Sequence, residues 1–119
     1  MTLRFHHHQG AADGPRLGTL VTPHGEVSTP TFMPVATRGM LRGPWPDRLR
    51  PMGVEMMLAN SFHLFSRPGV ESIAKLGGLH KVMAWDGPVL MDSGGFQAFS
   101  LSAISKVTEA GVKIAHPVH

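Results

Sequence analysis

Pro88-Val89-Leu90-Met91-Asp92-Ser93-Gly94-Gly95-Phe96-Gln97 runs from an apolar stretch straight into a carboxylate, a hydroxyl, two glycines and an aromatic ring. Apolarity that is continuous rather than alternating predicts a parallel strand over residues 88–91, buried on both faces by helices. Asp92 then stands at the carboxyl end of that strand. In α/β sheets and barrels this is the end where ligands bind and catalytic side chains collect, because the loops there vary without disturbing the core.

Working outward, residues 54–59 read as a second buried strand and Thr31-Phe32-Met33-Pro34-Val35 as an earlier one, with Pro34 near its end because proline cannot donate to a ladder. Residues 46–52 predict a short helix, with Pro46 tolerated in the first turn and Gly53 as its stop. Residues 68–76 predict another, with Val70, Ile73, Ala74 and Leu76 as an apolar stripe and Gly77 at the cap. Residues 60–67 are read as a loop. The order strand, helix, strand, helix, strand demands a parallel sheet of α/β type. Upstream, Asp13-Gly14 and Pro23-His24-Gly25 separate three short strands, so residues 1–28 read as antiparallel hairpins. Downstream, residues 99–105 can begin a helix, and residues 107–114, interrupted at Gly111, a last short strand.

The 119 residues allow one domain, which at this length buries about two-thirds of its unfolded surface. A 42% hydrophobic and 16% charged composition argues for an ordered globular chain. The absence of cysteine excludes disulfides, thiol catalysis and any cysteine-ligated metal within this chain. The net charge of +3 is compatible with RNA, yet Lys and Arg are dispersed and no basic tract occurs, which is the pattern of ordinary solvated charge. No apolar run approaches the roughly 20 residues of a membrane span, and the N-terminus has no uninterrupted apolar stretch. A cytoplasmic protein with no membrane partner is expected.

Asp92 has two readings. A carboxylate there can act as a general acid or base or accept from substrate N–H groups; Asp and Ser before Gly-Gly are also ordinary turn chemistry, and on spacing alone the turn is preferred. Gly94 and Gly95 fit close approach of a ligand or a tight turn equally. Phe96 can stack on a planar base or be a buried aromatic. Asn60, at the end of the second strand, and His63 after it are candidates for the same site or structural residues. His6-His7-His8 reads as an exposed edge strand rather than a metal site, since strand neighbours point to opposite faces. Gly77-Gly78-Leu79-His80-Lys81 reads as a helix stop, lacking the Gly-Lys-Ser/Thr of a phosphate loop. Met52, Met56, Met57, Met83 and Met91 are read as core filler.

Several stretches form a colinear series that resembles the N-terminal part of tRNA-guanine transglycosylases, also called queuine tRNA-ribosyltransferases. Leu17-Gly18-Thr19-Leu20, Thr22-Pro23-His24-Gly25 and Thr29-Pro30-Thr31-Phe32-Met33-Pro34-Val35 open it. Asn60-Ser61-Phe62-His63-Leu64 is similar to the family's Asn-Thr-Tyr-His-Leu element, and Arg67-Pro68-Gly69 follows. Lys75-Leu76-Gly77-Gly78-Leu79-His80-Lys81, Trp85-Asp86-Gly87-Pro88 and Asp92-Ser93-Gly94-Gly95-Phe96-Gln97 complete it, so that the resemblance runs from about Arg16 to Gly111.

The resemblance implies a partial (β/α) TIM-type barrel of about three barrel strands, with the first βα units over residues 29–119 after the small hairpin region. It implies exchange of the wobble guanine of tRNA for a 7-deazaguanine base, with tRNA and a guanine-type base as partners. Asp92 becomes the catalytic acid/base, and Asp92, Ser93, Gly94, Gly95, Phe96 and Asn60 the base-binding residues. A flat base with N–H donors suits a carboxylate and an aromatic face, and it must be turned out of its stack to be reached. The family's second aspartate, the nucleophile on the ribose, and its zinc site of three cysteines and a histidine lie beyond the matched part, so no metal ligand and no cofactor are expected in this chain. A whole barrel takes about 250 residues. Residues 115–119 replace a Ser-His-hydrophobic-Asp-Gly pattern, and His6-His7-His8 and Arg38-Gly39-Met40-Leu41-Arg42 also depart from the family. The expectation is a truncated or split transglycosylase that works with a C-terminal half. The alternatives are a non-catalytic assembly module docking on a full-length relative through an open sheet edge, or a remnant without function.

Overall fold

The computed structural model describes residues 2–101 and 105–115. The glycine and proline punctuation of the N-terminal segment makes the turns expected of it. Strands β1 (Arg4–Gly10), β2 (Arg16–Thr22) and β3 (Gly25–Thr29) form an antiparallel sheet in that order. His6, His7 and His8 lie on β1, which is an edge strand and exposed throughout.

Three further strands, β4 (Val35–Ala36), β5 (Met57–Asn60) and β6 (Val89–Asp92), form a parallel sheet in chain order. Between β4 and β5 lies helix α1 (Pro46–Leu49), and between β5 and β6 lie α2 (Ser61–Ser66), α3 (Val70–Lys75) and α4 (Leu79–Met83). After β6 come α5 (Gly95–Ser100) and an antiparallel hairpin of β7 (Ser105–Thr108) and β8 (Gly111–Ile114). Ala36, Leu49, Met57, Ala59, Leu64, Met83 and Trp85 make the core beneath the parallel sheet. Burying Met57 or Met83 stabilises the fold by about 1.5–3 kcal/mol each. The Trp85 indole donates to the Pro88 carbonyl at 3.1 Å, so the ring is buried without an orphaned N–H. No helix of the described residues is long and apolar enough to cross a membrane.

The N-terminal sheet is fastened to the amino ends of the parallel strands. Ser28 donates its backbone N–H and its hydroxyl to the Glu55 carboxylate. His24, in the β2–β3 turn, stacks its ring on His80 of α4 at 3.8 Å and hydrogen-bonds the Asp86 carbonyl at 3.1 Å.

Several expectations are corrected. The stretch read as a loop over residues 60–67 is mostly helix α2, because the Asn60 side chain caps it by accepting from the His63 N–H at 3.2 Å. The strand expected over residues 31–35 shrinks to Val35–Ala36: Pro34 has no N–H, and only its carbonyl enters the ladder, accepting from Leu58. The strand expected over residues 54–59 begins later, at Met57, with Glu55 engaged by Ser28. Helices expected over residues 46–52 and 68–76 are one turn and six residues, and of the apolar stripe only Ile73 packs on the core, with Val70 and Leu76 exposed.

Strand β6 is not buried on both faces. Leu90 is 39% and Met91 45% exposed, because β6 is the last strand of its sheet among the described residues and nothing there covers it. Met91 and Met52 are therefore not core filler, whereas Met56, Met57 and Met83 are. The helix expected from residue 99 lies earlier, at Gly95–Ser100; residues 102–104 of that reading lie outside the described residues. The single last strand is instead a hairpin turning before Gly111.

Candidate functional site

Parallel pairing puts Asn60 directly opposite Asp92, each the last residue of its strand. Two motifs 32 positions apart thus meet at the carboxyl ends of neighbouring strands. Asn60 is 5% exposed, and an amide so buried needs partners for all its polar atoms. It has them. Its Nδ2 donates to Asp92 Oδ2 at 2.6 Å and to Gln97 Oε1 at 3.1 Å, while its Oδ1 accepts from the His63 N–H. Both amide protons face acceptors, which fixes the orientation of the group.

Asp92 is half-buried, and its second oxygen, Oδ1, accepts from the Gly94 N–H at 3.3 Å. This is the Asx turn of the structural reading, present together with the Asn60 contact. A carboxylate offers about four lone-pair sites, so two donors leave acceptor capacity toward the open side. Both donors are neutral amides, and Asp92 makes no ion pair among the described residues.

Gly94 is the residue the turn depends on. Its φ of +79° lies in the left-handed region, and a Cβ there would meet the Cβ of Phe62 at 2.8 Å. The turn therefore lies flush against the start of α2. Ser93 is exposed and, with Gly94, lines a groove of about 390 Å³ shared with Ser61, Phe62, Phe65, Val112 and Ile114. Gly95 opens α5, exposed, and Phe96 beside it is 72% exposed, so the buried-aromatic reading of Phe96 is overturned and its face is open. Gln97, the third residue of α5, is the residue to which sequence reasoning assigned no role. Its place in the Asp92 motif was the signal available, but its bond to Asn60 spans 37 positions. His63 contributes its backbone to the α2 cap while its ring meets Phe62 edge-on.

A larger cleft, about 890 Å³, lies at the opposite end of the sheet, among His24, Arg50, His80, Lys81, Trp85 and Asp86. Arg50 pairs with Asp86 at 3.1 Å and lies over the Trp85 ring, and its guanidinium holds the Asp86 carboxyl below the usual range. This end carries fastening contacts between the two sheets, whereas the carboxyl ends of the strands carry the Asn60–Asp92–Gln97 cluster. A zinc ion does not fit the residues present: the chain has no cysteine, and no three His, Asp or Glu side chains group together among the described residues.

The family model described as queuine tRNA-ribosyltransferase matches residues 12–119. Curated proteins named queuine tRNA-ribosyltransferase are similar over most or all of this chain. The one from Nitrosomonas eutropha is 50% identical over 100% of this chain and 32% of its own length. Those from Koribacter versatilis and Acidithiobacillus ferrooxidans are 58% and 54% identical over 87% and 90% of this chain, and 26% and 29% of theirs. The chain thus spans about a third or less of the length of the relatives it matches.

Proposed function

This chain belongs to the queuine tRNA-ribosyltransferase family, and we propose on that premise that it carries the base-handling part of a tRNA-guanine transglycosylase site. The observation that supports this most directly is the pairing of Asn60 with Asp92 at the carboxyl ends of adjacent parallel strands. In this reading the parallel sheet is the opening arc of a (β/α) barrel, and the exchange takes place on tRNA in the cytoplasm. The wobble guanine leaves as its bond to the ribose breaks, a 7-deazaguanine base takes its place, and the phosphate backbone stays whole.

Asp92 manages the protons of the outgoing and incoming bases, accepting from base N–H groups with the lone pairs that Asn60 and Gly94 leave free. Ser93 and the Gly94–Gly95 backbone hold the base edge, and exposed Phe96 offers a stacking face. Asn60 holds Asp92 in place and Gln97 backs Asn60. Asp92→Asn should lower guanine exchange into tRNA by about 10²-fold or more, measured with the chain mixed or co-expressed with the C-terminal two-thirds of a relative. If mixing never yields exchange and Asp92→Asn leaves guanine binding unchanged, the reading is wrong.

A second reading, an assembly module docking on a full-length relative, is favoured by the open β6 edge with its exposed Leu90 and Met91.

A further inference from the structure

The β7–β8 hairpin sets Lys106 directly opposite Lys113. Side chains directly opposite each other on an antiparallel pair share a face, and like charges so placed destabilise the hairpin. Neither ammonium has a carboxylate within salt-bridge distance among the described residues, although Glu109 sits in the hairpin's own turn. The other face explains where the hairpin is held. Val107 pairs with Val112 and Ser105 with Ile114 on that side; Val112 and Ile114 wall the groove shared with Ser93 and Gly94, and the Ser105 hydroxyl donates to the Ala98 carbonyl of α5 at 2.5 Å. The hairpin is thus an apolar wall beside the Asp92 turn whose outer face carries two uncompensated positive charges.

We propose that the Lys106–Lys113 pair is a contact for the RNA phosphate backbone flanking the base that enters the Asp92 site; this rests on the function proposed above. A nucleotide turned out of its stack leaves its neighbouring phosphates at the rim of the pocket, and the hairpin forms part of that rim. Two adjacent ammonium groups suit a polyanion, since phosphate approach removes the repulsion that the hairpin otherwise bears. Lys106 and Lys113 position the RNA and read no base.

The charge logic makes stability and binding move in opposite directions. Lys113→Glu creates an opposite-charge pair with Lys106, so it should raise the unfolding temperature while weakening tRNA binding. Affinity of the full chain for tRNA is measured across a salt series, with thermal unfolding, for wild type, Lys113→Glu, Lys106→Gln/Lys113→Gln and Lys106→Arg/Lys113→Arg. The double Gln variant should flatten the dependence of log affinity on log salt by about 1.4–1.8 units, about 0.7–0.9 for each of the two lost contacts, and the double Arg variant should keep the wild-type slope. Wild-type affinity and slope in both Lys113→Glu and the double Gln variant overturn the lysine contact and leave the proposed function standing. A wild-type chain that binds no tRNA overturns both.

Discussion

Asn60 is the residue in which local structure and the candidate site meet. Its carbonyl oxygen caps α2 and its amide holds both Asp92 and Gln97. Removing it deletes a cap worth about 1 kcal/mol and leaves neighbouring acceptors short of a donor at about 1–3 kcal/mol. Asn60→Ala should therefore destabilise the chain by about 2–4 kcal/mol in a denaturant titration. Asn60→Asp separates the two roles, because aspartate still caps but sets a second carboxyl against Asp92. A variant of that kind with wild-type stability and wild-type guanine binding would show that the amide has no part in holding Asp92.

At the scale of elements, the Arg50–Asp86 contact, which ties the end of α1 to the segment before β6, has a pH dependence of definite sign. The Arg50 guanidinium, by hydrogen bond and by charge, lowers the folded-state pKa of Asp86 below its ordinary value. A carboxyl depressed in the folded state contributes stability above its unfolded pKa, and that contribution is lost as pH falls through the folded value. Thermal unfolding followed downward from pH 5 should show this loss in wild type, and Asp86→Asn should flatten that part of the profile. The group is exposed, so the difference should be small and should shrink with added salt.

These elements also show what a sequence discloses and what it withholds. Turns were legible because Asp13-Gly14, Pro23-His24-Gly25 and Gly77-Gly78 act through their own backbone. Strand identity was legible at β5 and β6 from mostly apolar runs, interrupted at Glu55 in the first. Helix α2 was not, since its start depends on which way the Asn60 side chain turns, and α4 is only five residues long. The exposure of Leu90 and Met91 depends on what lies beside β6, which no local pattern encodes. In the candidate site, Asn60, Asp92 and Gly94, which the structure brings into contact, stood in motifs that could be read in the sequence, as did the exposed Ser93 and Gly95. The hydrogen bond from Asn60 to Gln97 and the His24–His80 stack, 56 positions apart, are products of tertiary packing.

For the whole molecule, the dominant feature is an open parallel sheet whose last described strand presents unpaired backbone and apolar side chains. Such an edge pairs with another chain unless it is charged or covered. Size-exclusion chromatography should find the chain self-associating in a concentration-dependent way, and Leu90→Lys should move it toward monomer, since lysine on an edge blocks strand addition. A wild-type chain that elutes as monomer at every concentration would count against an exposed pairing edge.

The shared register of Asn60 and Asp92 bears on how such a chain can change over generations. Side chains alternate between faces along a strand, so one residue inserted or deleted within β5 or β6 ahead of the pair turns one partner to the wrong side and shifts it by about 3.3 Å. Substitutions within these strands can be absorbed one at a time; length changes there cannot. Lineages of this chain are thus free to lengthen or shorten in the connections between strands, while residues 57–60 and 89–92 keep their lengths for as long as the carboxylate and the amide are needed together.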